Sequence, residues 1–165
     1  MKSKKINSRQ KGQRFERKVA GMLNTKFDTS QFMRTPGSGA FATTHKSLPQ
    51  HLQLQGDLIT PQWFAYTIEL KSGYDTQDLP KLLSPNCELY EWVLQCKSDA
   101  LAANRKPLLI VQHDRREAYC LLDTTIEMDD HVLRNSKVPP TYIAGLELIS
   151  LEQLLSIPNE LFIRK

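Results

Sequence analysis

The apolar positions of this chain change period along its length, and the changes mark its elements. Asn7 or Ser8 offers a good helix cap, and Phe15, Val19, Met22 and Leu23 then recur at i, i+4, i+7 and i+8. That stripe predicts an amphipathic helix running to about Thr25. Phe32-Met33-Arg34 reads as a short strand, and Pro36-Gly37-Ser38-Gly39 as a turn or loop. Residues 41 to 55 carry no periodic signal. Leu58-Ile59-Thr60 and Ala65 to Leu70 read as the two strands of a hairpin, with Pro61-Gln62-Trp63 as the turn. A polar connector, Ser72 to Asn86, follows. Leu89, Trp92 or Val93, Cys96, Ala100 and Ala103 predict a second helix from about Cys87 to Asn104. Pro107 breaks the chain, and Leu108 to Gln112 suits a buried strand. His113 to Arg116 reads as a turn and Glu117 to Leu122 as a partner strand. Asp123 to Arg134 is ambiguous and has room for a short helix. Lys137 to Pro140 reads as a linker and Gly145 to Ile149 as a late strand. Ser150 and Gln153 form a capping box for a final short helix. This order predicts an α/β domain, a mixed central β-sheet flanked by helices. A flexible basic arm at residues 1–7 precedes one folded unit over 8–165.

Composition narrows the class. With 165 residues, 40% hydrophobic and 24% charged, the chain suits one globular domain with a real core. It has no apolar run long enough to cross a bilayer and no signal-peptide stretch, so the expectation is a cytoplasmic protein that does not engage a membrane. The three cysteines, Cys87, Cys96 and Cys120, form no CxxC pair and read as reduced structural thiols rather than a zinc site. His45 and His51 have no partner at metal spacing. The net charge of +4 is modest but uneven. Lys2, Lys4, Lys5, Arg9, Lys11, Arg14, Arg17, Lys18 and Lys26 crowd the first segment, where Glu16 is the lone acid. Such a block favours a polyanion, most often nucleic acid.

The candidate chemistry lies between Gly56 and Gly73. In a strand, Thr67, Glu69 and Lys71 share one face, and Tyr66, Ile68 and Leu70 the other. A hairpin symmetric about Trp63 sets Asp57 opposite Glu69, with Cβ atoms roughly 4.5–5.5 Å apart. Two carboxylates so close repel unless a cation lies between them, and Mg²⁺ takes oxygen ligands. The plainer alternative is a set of solvated charges on the wet face of a hairpin. Gly56-Asp57 followed by Ile68-Glu69-Leu70-Lys71 resembles the PD-(D/E)xK nuclease core. Gly56 stands where that motif has proline. The resemblance implies a restriction-endonuclease-like fold, two acids that bind Mg²⁺ (with Mn²⁺ as a substitute), and a lysine that positions or activates the attacking water.

Three further blocks extend the likeness. Lys11-Gly12-x-x-Phe15-Glu16-Arg17 lies on the first helix, Arg34-x-Pro36-x-Ser38-Gly39 in the next loop, and both precede Gly56-Asp57 and Glu69-Leu70-Lys71. In that order they resemble the archaeal-type Holliday junction resolvases. The resemblance implies that Glu16 completes the metal site and that Ser38 acts near the scissile phosphate. It implies paired nicks in branched DNA, a role in recombination and repair, and a homodimer. The backbone carbonyl of Leu70 or of Ile68 is a candidate further ligand. Gln95 matches the place of a polar helix residue that reaches the catalytic lysine or water in related nucleases, although a plain helix-surface glutamine is the favoured reading there. Lys5, Arg9, Lys11, Arg14, Arg17, Arg34 and Ser38 are the candidate DNA-binding residues. The enlarged 41–55 loop keeps open other nucleases of the superfamily, for repair, restriction or flap cleavage. A non-catalytic DNA-binding protein with this fold is the rival from another class.

Overall fold

The computed structural model describes residues 8–36, 55–73, 87–113, 116–135 and 140–164. The arm at 1–7, Ser38 and nearly all of the 41–55 loop lie outside them. The elements are α1 (Ser8–Phe27), β1 (Met33–Arg34), β2 (Leu58–Ile59), β3 (Tyr66–Ser72), α2 (Glu88–Ala102), β4 (Lys106–Gln112), β5 (Ala118–Leu122), α3 (Ile126–Asn135), β6 (Thr141–Ile143), β7 (Leu146–Ser150) and α4 (Leu151–Ser156). A 3-10 turn, Asn159–Phe162, closes the chain. Among the described residues, no helix is long and apolar enough to cross a membrane.

Among the described residues, five strands form one mixed sheet in the order β3-β4-β5-β7-β6. β3 and β4 run parallel, as a strand–helix–strand crossover through α2 requires, and the other pairs are antiparallel. Side-chain alternation divides the core. Tyr66, Ile68, Leu70, Leu108, Ile110, Cys120 and Leu122 pack with α1, α3 and α4. Leu109, Val111 and Leu121 pack on the opposite face with Trp92, Val93 and Cys96 of α2. The result is a three-layer α/β/α unit, the α/β class expected of a PD-(D/E)xK core.

Two details differ from expectation. β2 does not ladder with β3. It pairs with β1 in a separate two-stranded sheet, Met33 against Ile59 and Arg34 against Leu58. Pro107 does not break the chain but lies inside β4, opposite Thr67. One residue into an outgoing strand, its missing N–H is tolerated. β6 and the 3-10 turn gave no periodic signal because both are too short to show one.

An aromatic cluster fixes the corner beside the sheet edge. Phe27 at the end of α1 packs on Phe32, Trp63, Phe64 and Phe162 with ring centroids 5.4–5.6 Å apart. Such contacts add to the burial of large apolar area. They hold α1, β1 and the β2–β3 connection against one another.

Candidate active site

Among the described residues β3 is an edge strand, hydrogen-bonded to β4 on one side. Asp57 approaches its other side. The Asp57 amide donates to the Ile68 carbonyl at 2.9 Å. The Leu70 amide donates back to Asp57 Oδ2 at 2.8 Å. The two bonds straddle Glu69, so Asp57 lies beside Glu69 although no β2–β3 ladder forms. A carboxylate has lone pairs to spare after accepting one such bond.

The turn that delivers Asp57 depends on glycine. Gly56 has φ +84°, and a Cβ there would lie 2.5 Å from the Ile68 carbonyl oxygen. A proline, fixed near φ −65°, cannot adopt this conformation. The buried Thr35 holds the turn from the other side. Its amide donates to the Asp57 carbonyl at 2.9 Å and its hydroxyl to the Gly56 carbonyl at 3.2 Å.

Glu69 is 5% exposed, which excludes the solvated-charge reading. Lys71 donates to Glu69 Oε1 at 2.7 Å. Glu16, 7% exposed, emerges from the buried face of α1 between Phe15 and Val19. It is ion-paired with the Arg34 guanidinium of β1.

These charges act on one another. Burial, then the Glu69 charge, pushes the Asp57 carboxyl up to about 7, against the opposing Leu70 hydrogen bond, with Glu16 adding to the rise. Burial also raises Glu69, opposed by Lys71 and reinforced by Asp99 and Glu16. Asp99 of α2 is raised by burial, with Lys71 again opposing. Two neighbouring carboxylates that burial drives toward protonation, one of them also raised by the charge of the other, are a donor set suited to a divalent cation, which relieves the repulsion a proton otherwise relieves. Among the described residues, no three acidic, histidine or cysteine side chains are grouped closely enough to hold a metal as they stand. Asp57 and Glu69 are the neighbours; Glu16 is turned to Arg34.

The structure therefore brings Glu16, Arg34, Asp57, Glu69, Leu70 and Lys71 to one edge of the sheet. Gln95 is exposed on α2. Asp99, one turn further along and three residues after buried Cys96, is the α2 side chain whose charge acts on Glu69. Its place on the border of the apolar stripe was the available signal, as it was for Glu16. Thr35 gave no signal of its own. Arg14, Arg17 and Lys18 are exposed on the outer side of α1, as is Arg9 at its start, and Lys11 is half-buried. Lys5 and Ser38 lie outside the described residues. The three cysteines are buried and form no disulfide, and burial pushes the Cys96 thiol up to about 12.

Residues 7–152 match the sequence model of a protein family described as "Phage putative PDDEXK endonuclease". Protein D14 of Escherichia phage T5 is 30% identical over 133 residues, which cover 78% of this chain and 78% of that protein. No solved structure matches the chain.

Proposed function

The chain belongs to the phage PDDEXK endonuclease family, and from that premise we propose that it cleaves DNA through a divalent metal held by Asp57 and Glu69. The observation that carries the reading is the pair of hydrogen bonds that fastens Asp57 across Glu69 on the open side of β3. They hold two buried carboxylates together where repulsion would part them. Mg²⁺ is the proposed ion, with Mn²⁺ as a substitute. When bound, such an ion polarises the phosphate and lowers the pKa of a nearby water.

The chain's own residues divide the remaining work. Asp57 is held rigid by the Leu70 amide and the Gly56 turn. Lys71, anchored beside Glu69, orients the attacking water or offsets charge on the phosphate. Glu16 contributes from α1, and the Leu70 carbonyl is the further oxygen within the motif. Arg9, Arg14, Arg17 and Arg34 contact the backbone, with Lys5, Lys11 and Ser38, giving affinity without sequence preference. Gln95 and Asp99 lie on the helix behind Lys71. The proposed substrate is a four-way junction, resolved by paired nicks. That geometry calls for a homodimer, since symmetric cuts on two strands need two sites related by a two-fold axis.

Cleavage of a labelled four-way junction against a matched linear duplex, in Mg²⁺ and in EDTA, tests this reading. Symmetric nicks on the junction alone, lost in EDTA, are expected. Metal-dependent cutting of both substrates would retain the nuclease and discard junction selectivity. Binding without cutting would overturn the catalytic reading.

A further inference from the structure

Each acid at the sheet edge is held by a donor from the protein. Leu70 N–H holds Asp57, Lys71 holds Glu69, and Arg34 holds Glu16. The third pair differs from the others in what its members are suited to do. Glu16 is nine-tenths buried, with its side chain 10% exposed, whereas the Arg34 side chain is 24% exposed. The acid faces inward and the cation reaches toward solvent. Their backbones are placed by contacts other than the ion pair. Glu16 rides on α1, and Arg34 is laddered to Leu58, next to Asp57. The guanidinium can therefore leave the carboxylate without either element moving.

Resting on the metal reading above, we infer that Arg34 is an exchangeable counter-ion: it occupies Glu16 until a divalent cation takes that carboxylate, and is then handed to a DNA phosphate. Glu16 is the residue that separates the present arrangement from a three-acid cluster, and Arg34 is what holds it. A cation arriving at Asp57 and Glu69 attracts Glu16 and competes with the guanidinium. Once released, the guanidinium is a planar fork matched to a phosphate. Metal and DNA then strengthen each other's binding through one ion pair, and by linkage the coupling is reciprocal. Arg34 thus positions Glu16 first and substrate afterwards.

The sign of one substitution separates this from a plain phosphate contact. Mn²⁺ affinity, measured without DNA by the electron paramagnetic resonance of the free ion, should rise at least about fivefold in Arg34→Gln. A residue that only contacts DNA would leave it unchanged, and a structural residue would lower it. Arg17→Gln removes a charge from the neighbouring position on α1 and controls for charge alone. In the absence of metal, Glu16→Gln should bind a short duplex more tightly than the wild type, because Arg34 is already released, and this gain should vanish in Glu16→Gln/Arg34→Gln. Mn²⁺ binding that Arg34→Gln leaves unchanged, weakens, or strengthens no more than Arg17→Gln does would overturn the exchange and leave the metal site standing. A wild type that binds no Mn²⁺ would overturn both.

Discussion

The Leu70 amide donates to the Asp57 carboxylate at 2.8 Å, and that bond opposes the burial and the Glu69 charge that drive Asp57 toward protonation. The acid is thus placed by the backbone of the strand that carries its partner. Anything that shifts Asp57 along β3 loses both the hydrogen bond and the pairing with Glu69.

Gly56→Ala should do this. A Cβ 2.5 Å from the Ile68 carbonyl oxygen, at φ +84°, forces the turn open. Stability should fall by about 1–3 kcal/mol in a urea titration, and cleavage should fall further than the unfolded fraction explains. Gly21→Ala is the contrast: a Cβ there meets nothing within 4 Å on the exposed side of α1. It should stabilise by about 0.5–1 kcal/mol.

Glu69→Ala should reduce cleavage by about a hundredfold or more while DNA affinity holds or improves, since a charge that repels phosphate is gone and the Lys71–Glu69 ion pair is lost. Filter binding beside a single-turnover assay would show the split. Turnover near the wild-type rate would remove Glu69 from the mechanism.

Stability should decline as pH rises from about 4.5 to 7. Glu147 on β7 is buried, 1% exposed. Burial first, then hydrogen bonding to Asp129, push it up to about 7 from its ordinary 4.5, against a hydrogen bond with Thr124. The native state holds a proton that the unfolded chain has released in that window, so the unfolded state gains on the native as pH increases. Asp57 is raised to about 7 and contributes with the same sign. Glu147→Gln should flatten the dependence of the urea midpoint on pH without abolishing it. An unchanged slope would show that Glu147 is ionised in the native state across the window.

Deletion of residues 1–7 removes Lys2, Lys4 and Lys5. If the arm lies on DNA, affinity should drop and the slope of log K against log salt should shrink by up to about 3. An unchanged slope would place the arm off the DNA.

Much of the site was legible because its signals are periodic or chemical. The alternation through Glu69 and Lys71 placed them on one face, and the α1 stripe put Glu16 on its border. The rest depends on contacts between distant segments. β1 and β2 are two residues each, too short for a pattern to announce that they pair with each other rather than with β3. Gly56 stands where the motif has proline, and its necessity appears only beside the Ile68 carbonyl. Thr35 looks like any loop threonine until its hydroxyl is seen against Gly56. Glu147 occupies what an alternating pattern reads as an ordinary strand position.

The side of β3 away from β4, where no strand of the five-stranded sheet lies among the described residues, has a consequence for self-association. An unpaired strand edge is a template for addition of a foreign strand, and proteins blunt such edges with charge or local coverage. Asp57 occupies the Ile68 carbonyl and the Leu70 amide, the groups an incoming strand would need there. Glu69 and Lys71 add charge beside them. The acids proposed to hold the metal therefore also cover the sheet edge against strand addition. Asp57→Ala would uncover one edge of a hydrophobic sheet as well as disable the site, and insoluble variants at this position would reflect lost edge protection rather than a weakened core.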